Sequence, residues 1–328
     1  MEREYIGVDL HKPFFHACAV SETGMRAWEQ RFPRNEGGLV LFRARCSRMT
    51  AIAVEAMGPT WAFVDALMPS GAAVSVVDPR RRKAGYAAKT DRLDARRLAD
   101  ALRRDSIVSV YVPPPAVREL REVCRGRYQV VRMRARVAQM IRALLLRSGH
   151  DDVPVTRVFS RRGLAWLSEV QLPAEAGASL ERWRRVLVAV HAEAAIADAA
   201  VRARAAADPI ACGLDAMVGV GPVLALTLRA EIGDIHRFAG GPALASYAGL
   251  VPRVEASADR YWSGRITREG SPWLRFALVE VAMHAMRRQD AIGRWARQLA
   301  MRKGAYKARV ALARRLCDEV VAKWPRCA

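Results

Sequence analysis

Four acidic side chains occupy positions where a carboxylate needs a partner. Asp9 lies within the apolar strand pattern YIGVDLH, and Glu55 lies near the end of a second such pattern, TAIAVEA. A bare carboxylate in an apolar strand is strongly unfavourable, so each must be paired, hydrogen-bonded or bound to a metal. Asp91 and Asp94, in KTDRLDARRLAD, are three residues apart and therefore share one face of a predicted helix.

Metal-ion chemistry is what such a set of side chains can do together. Four carboxylates at one point repel one another unless cations lie between them, and oxygen ligands select Mg²⁺, with Mn²⁺ as the alternative. Two such ions about 4 Å apart can activate a nucleophile and stabilise a leaving oxygen in phosphodiester chemistry. Taken singly, Asp91 and Asp94 also fit as acids of a first helical turn, and Glu55 as a surface residue at a strand end.

The elements that must position these carboxylates alternate along the first hundred residues. Their order is strand, strand, strand, helix, strand, helix, strand, helix, which predicts an α/β domain over residues 1–110 with a mixed five-stranded sheet. A basic connector, RRRKAGYAAK, follows the fifth strand and precedes the helix of Asp91 and Asp94. His11, two residues after Asp9, could lie near the metals, but such a residue is more often a partly buried structural histidine, so we expect it outside the site.

Two further regions follow a break at YVPPPA, residues 111–116, where consecutive prolines prevent a helix. Residues 117–208 contain two long helical patterns with apolar steps of three and four, which favour a coiled-coil or oligomerisation arm. A helical bundle packed on one of the domains is the alternative. Residues 209–328 are predicted to be mainly α-helical, with a loop-rich centre from 248 to 270. Their MVGVGPVLA segment fits either a helix-hairpin-helix turn or a simple helix corner.

Charge and composition favour a nucleic-acid partner. The 328 residues include 54 Lys and Arg against 33 Asp and Glu, a net charge of +21, which attracts polyanions. The six cysteines have no zinc-site spacing, and the longest uncharged stretch, 238–252, is too short to span a bilayer. No apolar signal-peptide core is found near the start, so we expect a cytoplasmic, nucleoid-associated bacterial protein without membrane contact.

Six ordered segments carry a resemblance to a known family. YIGVDLHK, AVEAMG and KTDRLDARRLA resemble the N-terminal DEDD domain of the insertion sequence 110 family of transposases, relatives of the Piv DNA invertase. GVGPVLALTLRAEIGDIHRF, LASYAGLVPR and GRITREGSPWLRFAL resemble its C-terminal transposase domain. The resemblance implies a RuvC-like, ribonuclease-H-like first domain. Its four metal ligands fall on the carboxylates already singled out: Asp9, Glu55, Asp91 and Asp94.

The resemblance also implies a nucleophilic serine in the third region. The family's serine follows its Gly-Leu-x-Pro block, and the matching residue in GLVPRVEASADR is Ser257. The family often has Gly after this serine, whereas Ala258 follows here, so the Ser263-Gly264 pair keeps Ser263 as the alternative. The alternative is a structural role, in which the serine only caps or stabilises a turn in a loop while the neighbouring arginines bind DNA. Four cations could hold a phosphate beside it: Arg253, Arg260, Arg265 and Arg268.

The function implied is a Mg²⁺-dependent DNA recombinase that excises and inserts its own insertion sequence. A transient serine–DNA bond and a composite site joining the first and third regions are expected. The implied partners are donor and target DNA, a non-coding bridge RNA, and further copies of the chain in a dimer or tetramer. A metal-dependent Holliday-junction-type nuclease without a serine intermediate is the first alternative, and a non-enzymatic nucleic-acid-binding protein is the second.

Overall fold

The first unit of the chain is built on a six-stranded sheet in the order β3-β2-β1-β4-β5-β6. A computed structural model describes residues 3–78, 90–150, 160–257 and 260–324, and its contacts divide the chain into units 1–112 and 113–328. The connector RRRKAGYAAK lies outside the described residues. The first unit's elements are β1 (Glu4–Leu10), β2 (Phe14–Val20), β3 (Arg26–Pro33), α1 (Glu36–Arg43), β4 (Thr50–Glu55), α2 (Thr60–Leu67), β5 (Ala73–Val77), α3 (Asp91–Arg103) and β6 (Ser109–Val110).

The sheet is mixed, as predicted, and has one strand more than predicted. β1 pairs antiparallel with β2 and parallel with β4, β4 pairs parallel with β5, and β6 pairs antiparallel with β5 at the edge. β6 has only two residues, Ser109 and Val110, which is too short to show an alternating pattern.

Both faces of strand β1 are covered. Because its side chains alternate between the two faces, each face packs against a different set of residues. Ile6, Val8 and Leu10 belong to a core that also contains a group of phenylalanines from β2, β3, α1 and α2. The opposite face, with Tyr5, packs against Ala95 and Ala99 of α3. Because strand side chains alternate, Gly7 and Asp9 belong to the α3 side of the sheet.

Gly7 allows α3 to lie directly on the sheet. A Cβ at this position would lie 1.9 Å from the carbonyl oxygen of Ala95 and 2.4 Å from the amide nitrogen of Ala99. Both atoms belong to the backbone of α3, so no side-chain rotation relieves the overlap. The helix that carries Asp91 and Asp94 can therefore take this position only while residue 7 has no side chain.

We therefore expect Gly7→Ala to lower the free energy of unfolding of the first unit by about 3 kcal/mol. Urea unfolding followed by circular dichroism measures this as an earlier first transition. Gly58→Ala is the matched control, because a Cβ there meets nothing within 4 Å. Equal midpoints for the two variants would contradict the assignment of Gly7 to this contact.

The second unit is mainly helical. α4 and α6 run in opposite directions, since Arg127 near the start of α4 pairs with Asp198 late in α6 at 2.6 Å, while Ile141 and Leu145 share a core with Leu180. None of the helices in the described ranges is both long and apolar enough to cross a membrane. The elements are α4 (Pro115–Arg147), α5 (Arg161–Glu169), α6 (Ala174–Ala207), α7 (Pro209–Asp215), α8 (Pro222–Ile232), α9 (Gly241–Tyr247), β7 (Pro252–Ser257), β8 (Arg260–Ile266), α10 (Pro272–Ala285), α11 (Ala291–Lys303) and α12 (Ala305–Lys323).

The centre of the third region differs from the sequence expectation. Instead of the loop-rich segment predicted over 248–270, β7 and β8 form a two-stranded antiparallel sheet with an irregularity between Pro252 and Val254. Chain segments cross closely at its base, where Gly249 (φ 65°) would place a Cβ 2.2 Å from the carbonyl oxygen of Glu269. The strands are short, and the irregularity interrupts their alternation, so their pattern resembles that of a loop.

Candidate metal centre

Asp9 and Glu55 lie at the same edge of the sheet. Val8 of β1 is in register with Val54 of β4, and the two strands are parallel. Asp9 and Glu55 are the next residues on each strand. The carboxyl ends of adjacent parallel strands are where open α/β sheets place ligands, so the fold brings both carboxylates to that edge.

Helix α3 brings the other two carboxylates. The side chain of Thr90 accepts a hydrogen bond from the amide of Leu93 at 3.3 Å and so caps the start of the helix. Asp91 is the first helical residue, and Asp94 follows one turn later on the same face. Asp94 is 9% exposed, whereas the side chain of Asp91 is 46% exposed. The cap therefore fixes the turn that holds both acids.

Two of the four carboxylates, Asp9 and Asp91, meet closely through a histidine, His11. The Nε2 atom of His11 lies 3.2 Å from Oδ2 of Asp9 and 3.3 Å from Oδ1 of Asp91. One donor atom from each of the three residues lies within 4.8 Å of the others. Asp94 acts electrostatically on Asp9 and lies 3.4 Å from Nη1 of Arg97, while Glu55 reaches the same edge from β4.

The donor set fits a divalent cation. Burial raises the pKa of Asp9 above its usual range, against the hydrogen bond and charge of His11, and the charges of Asp91 and Asp94 raise it further. A bound cation would offset both the desolvation and the repulsion. Carboxylate oxygens suit Mg²⁺ or Mn²⁺, and the imidazole of His11 makes Mn²⁺ and Zn²⁺ chemically acceptable as well.

Sequence reasoning missed His11, whose position depends on the turn between β1 and β2. The amide of His11 donates to the carbonyl of Phe14 at 2.8 Å, and the two rings stack with centroids 4.8 Å apart. The guanidinium of Arg31 lies 3.6 Å from the centroid of the Phe14 ring. The only sequence signal was a histidine two residues after a strand carboxylate, which is too common to single out.

A His11→Ala variant is expected to bind a divalent metal about 10- to 100-fold more weakly, because His11 contacts both carboxylates of the cluster. The rise in melting temperature on titration with Mg²⁺ or Mn²⁺ measures this without any activity assay. The control is His191→Ala, which removes an exposed histidine of α6. An unchanged metal titration in His11→Ala would place His11 outside the metal centre.

A second polar network holds the start of α3. Glu29 of β3 accepts hydrogen bonds from Arg92 and from Nε2 of His16, the latter at 3.2 Å. Burial alone would raise the pKa of Glu29, but these two partners lower it overall. Arg92 follows Asp91 directly, so this network ties the first turn of α3 to the sheet. Beside it opens a groove of about 480 Å³ lined by Phe14, His16, Arg31, Thr90, Asp91 and Arg92.

The residues predicted for the third region lie on the β7–β8 hairpin. Ser257 ends β7 and is paired in backbone register with Arg260, whereas Ser263 is paired with Val254. Ala258 lies outside the described residues. The other three predicted cations are exposed, and Arg268 has a positive φ of 56° at the base of the hairpin. They are Arg253, Arg265 and Arg268.

Two family profiles match this chain. The profile of DEDD transposases of the IS110 type, described as "Transposase", matches residues 6–149, the segment that contains the carboxylate and histidine cluster. The profile described as "Transposase IS116/IS110/IS902 family" matches residues 213–297, the segment that contains the β7–β8 hairpin.

Relatives that align over most of this chain show the same similarity. The transposase for insertion sequence element IS1111A of Coxiella burnetii is 26% identical over 94% of this chain and 86% of its own length. A protein of Pseudomonas aeruginosa named as a probable family 20 transposase is 28% identical over 95% of this chain and 94% of its own. The protein y4qE of Sinorhizobium fredii, assigned to the transposases, is 30% identical over 85% of this chain and 70% of its own.

Proposed function

Since this chain belongs to the IS116/IS110/IS902 family of transposases, enzymes that act on DNA, we propose that it excises and inserts its own insertion sequence through a covalent bond between Ser257 and DNA. The observation that carries the proposal is the cluster of Asp9, His11 and Asp91 at the sheet edge, within the segment matched by the DEDD profile. A basic chain with such a cluster is suited to phosphodiester chemistry.

The metal centre is proposed to hold Mg²⁺, with Mn²⁺ as a substitute, on Asp9, Glu55, Asp91 and Asp94, with His11 between Asp9 and Asp91. The family and the cluster together suggest divalent metal use. When bound, the ion supplies charge stabilisation for a reacting phosphate. The mixed sheet with carboxylates on β1, β4 and α3 supports a RuvC-like, ribonuclease-H-like classification of the first unit.

The serine step is proposed as a phosphoryl exchange. The Oγ–P bond to Ser257 forms as a P–O bond of one DNA strand breaks; the serine loses its proton and the departing oxygen gains one. Attack by a hydroxyl of another strand reverses the step and frees the serine. Because one ester replaces another each time, no external energy source is consumed. Arg253, Arg260, Arg265 and Arg268 are proposed to bind the phosphates.

The proposed partners are donor and target DNA, a bridge RNA and further copies of the chain. The net charge of +21 supports binding of a nucleic-acid scaffold through its backbone. α4 and α6, of 33 and 34 residues, supply the long paired helices through which we propose a coiled-coil association into a dimer or tetramer.

The test is a strand-transfer assay with purified protein, labelled DNA ends of the element, target DNA, and the element's non-coding transcript. Joined products and protein-linked strands are resolved on a denaturing gel. We expect both to require Mg²⁺ or Mn²⁺, to disappear in EDTA, and to depend on the transcript. Metal-dependent nicking with no protein-linked strand would favour the nuclease alternative. Binding without any strand cleavage would favour the non-enzymatic one.

A further inference from the structure

A strongly exposed basic segment joins the last two helices. Residues 301–307, here called the basic knuckle, comprise the end of α11, the turn at Gly304 and the start of α12, and all seven are exposed. Met301 is 88% exposed and Tyr306 is 83% exposed, unusual values for large apolar side chains. Arg302, Lys303 and Lys307 lie in the same segment. The knuckle lies beyond residues 213–297, which the family profile matches.

Basic and acidic residues occupy different parts of this helical pair. Residues 291–317 contain eight Lys and Arg and no Asp or Glu. The acids that flank this stretch in sequence are Asp290 on one side and Asp318 and Glu319 on the other, at the other end of the helical pair. Asp290 and Glu319 accept hydrogen bonds from Arg288, at 2.8 and 3.0 Å. Within 260–324, no carboxylate forms an ion pair with a cation of the knuckle. Its positive charge is therefore not neutralised there.

Structural roles do not explain these side chains. The buried residues of this helical pair, among them Ala296, Ala308 and Leu312, all lie outside the knuckle, so the knuckle contributes nothing to the core. Lys307 stands in the first turn of α12, where the helix dipole disfavours a cation. Arg297, by contrast, has a structural role, because its Nη1 donates to the carbonyls of Met286 and Arg288 at 2.7 Å each.

We propose that the basic knuckle binds DNA. Arg302, Lys303 and Lys307 place three exposed positive charges within six residues, which attracts a phosphodiester backbone, and the exposed ring of Tyr306 offers a surface for a sugar or an unpaired base. The guanidinium of Arg309 lies 5.5 Å from the centroid of that ring, which adds a further positive charge next to it. The proposal rests on the family's action on DNA and not on the metal centre or Ser257.

The salt dependence of DNA binding tests the cations. Binding of the full chain to a labelled duplex with a single-stranded tail is measured by fluorescence anisotropy in EDTA, where no cleavage occurs. For the triple variant Arg302→Gln, Lys303→Gln, Lys307→Gln we expect the slope of log K against log salt to fall by about 2.7, because each phosphate that a cation neutralises adds about 0.9 to that slope. The control removes three exposed charges of α6 instead: Arg182→Gln, Arg185→Gln, Arg202→Gln.

Tyr306 is tested separately. Tyr306→Ala is expected to weaken binding at least about fivefold, whereas Tyr306→Phe stays within about twofold of the wild type because the ring is retained. All these positions are exposed, so circular dichroism and melting temperature are expected to remain those of the wild type.

Three outcomes would overturn the proposal. An equal fall in slope for the α6 triple variant would mean that net charge alone acts. If the knuckle variants weakened binding only to an RNA of the same length and not to the DNA, the knuckle would be assigned to RNA. If light scattering showed that the knuckle variants had a different oligomeric mass while their DNA binding was unchanged, the knuckle would be assigned to contact between copies of the chain. These binding experiments involve neither Ser257 nor a metal. A negative result would therefore leave the proposed strand transfer unaffected, and failure of the strand-transfer proposal would leave DNA binding by the knuckle unaffected.

Discussion

Replacement of Asp9 by Asn is expected to lower metal-dependent strand cleavage by at least about a hundredfold, while the metal-free protein becomes no less stable. Asp9 is largely desolvated, with 15% of its side chain exposed, and lies near two other carboxylates. In the proposed metal centre its charge would bind a cation, which would offset this repulsion. An amide of the same shape keeps the packing against α3 and removes the repulsion, so function and stability should separate.

The pKa of Asp9 predicts how the stability of the metal-free protein depends on pH. Burial raises the pKa of Asp9 above the ordinary value of 3.8, so the folded state binds its proton more tightly than the unfolded state does. The contribution of this group to stability is therefore present at low pH and falls as pH rises through the interval from 3.8 to the raised pKa. Asn has no proton to lose, so Asp9→Asn should gain stability relative to the wild type across that interval.

Urea unfolding in metal-free buffer from about pH 4 to pH 7, together with Mg²⁺ titration of the melting temperature, measures both effects. Mg²⁺ should stabilise the wild type and leave Asp9→Asn nearly unaffected. Asp105→Asn is the matched control, since Asp105 is exposed and its positive φ of 51° is one that Asn tolerates. Equal stabilisation of Asp9→Asn by Mg²⁺ would remove Asp9 from the ligand set.

Ser257→Ala is expected to abolish the covalent protein–DNA product. Removal of a nucleophilic serine costs about 10⁶ in kcat in a well-studied hydrolase, so the adduct should fall below detection. Recovery of the protein under denaturing conditions from cells that carry the element, followed by labelling of attached DNA, measures it. DNA binding of the variant in EDTA should stay that of the wild type.

Ser263→Ala is the control for this substitution. Ser263 lies on β8, the strand that pairs with β7, and is the other candidate nucleophile from the sequence. Retention of the adduct in Ser257→Ala with its loss in Ser263→Ala would move the nucleophile to β8. No adduct in the wild type, with metal-dependent nicking intact, would favour the nuclease alternative.

The sequence carried enough information to place the carboxylates on their elements. Asp9 and Glu55 interrupt apolar strand patterns, and the spacing of Asp91 and Asp94 indicates one helix face, so local periodicity was sufficient. His11 could not be placed in the same way, because its contacts with Asp9 and Asp91 depend on the turn to Phe14 and on the approach of α3.

Composition was also unable to separate structural arginines from those free to bind a ligand. Arg125 forms two hydrogen bonds, at 2.8 and 3.0 Å, with the buried carboxylate of Glu231, which also accepts one from Ser271 at 2.7 Å. Arg121 donates to the carbonyls of Ala230 and Glu231. Both arginines raise the net charge while serving to join α4 to the end of α8. Only three-dimensional contacts distinguish them from the cations of the basic knuckle.

Gly7 and Asp9 lie two residues apart on the same face of β1, yet different forces act on them. Residue 7 must be glycine for α3 to approach the sheet, whether or not the protein ever cuts DNA. The charge of residue 9 is proposed to serve the metal centre. A substitution at position 9 is therefore expected to leave a folded protein that still binds DNA, whereas a side chain at position 7 removes the fold and the site together.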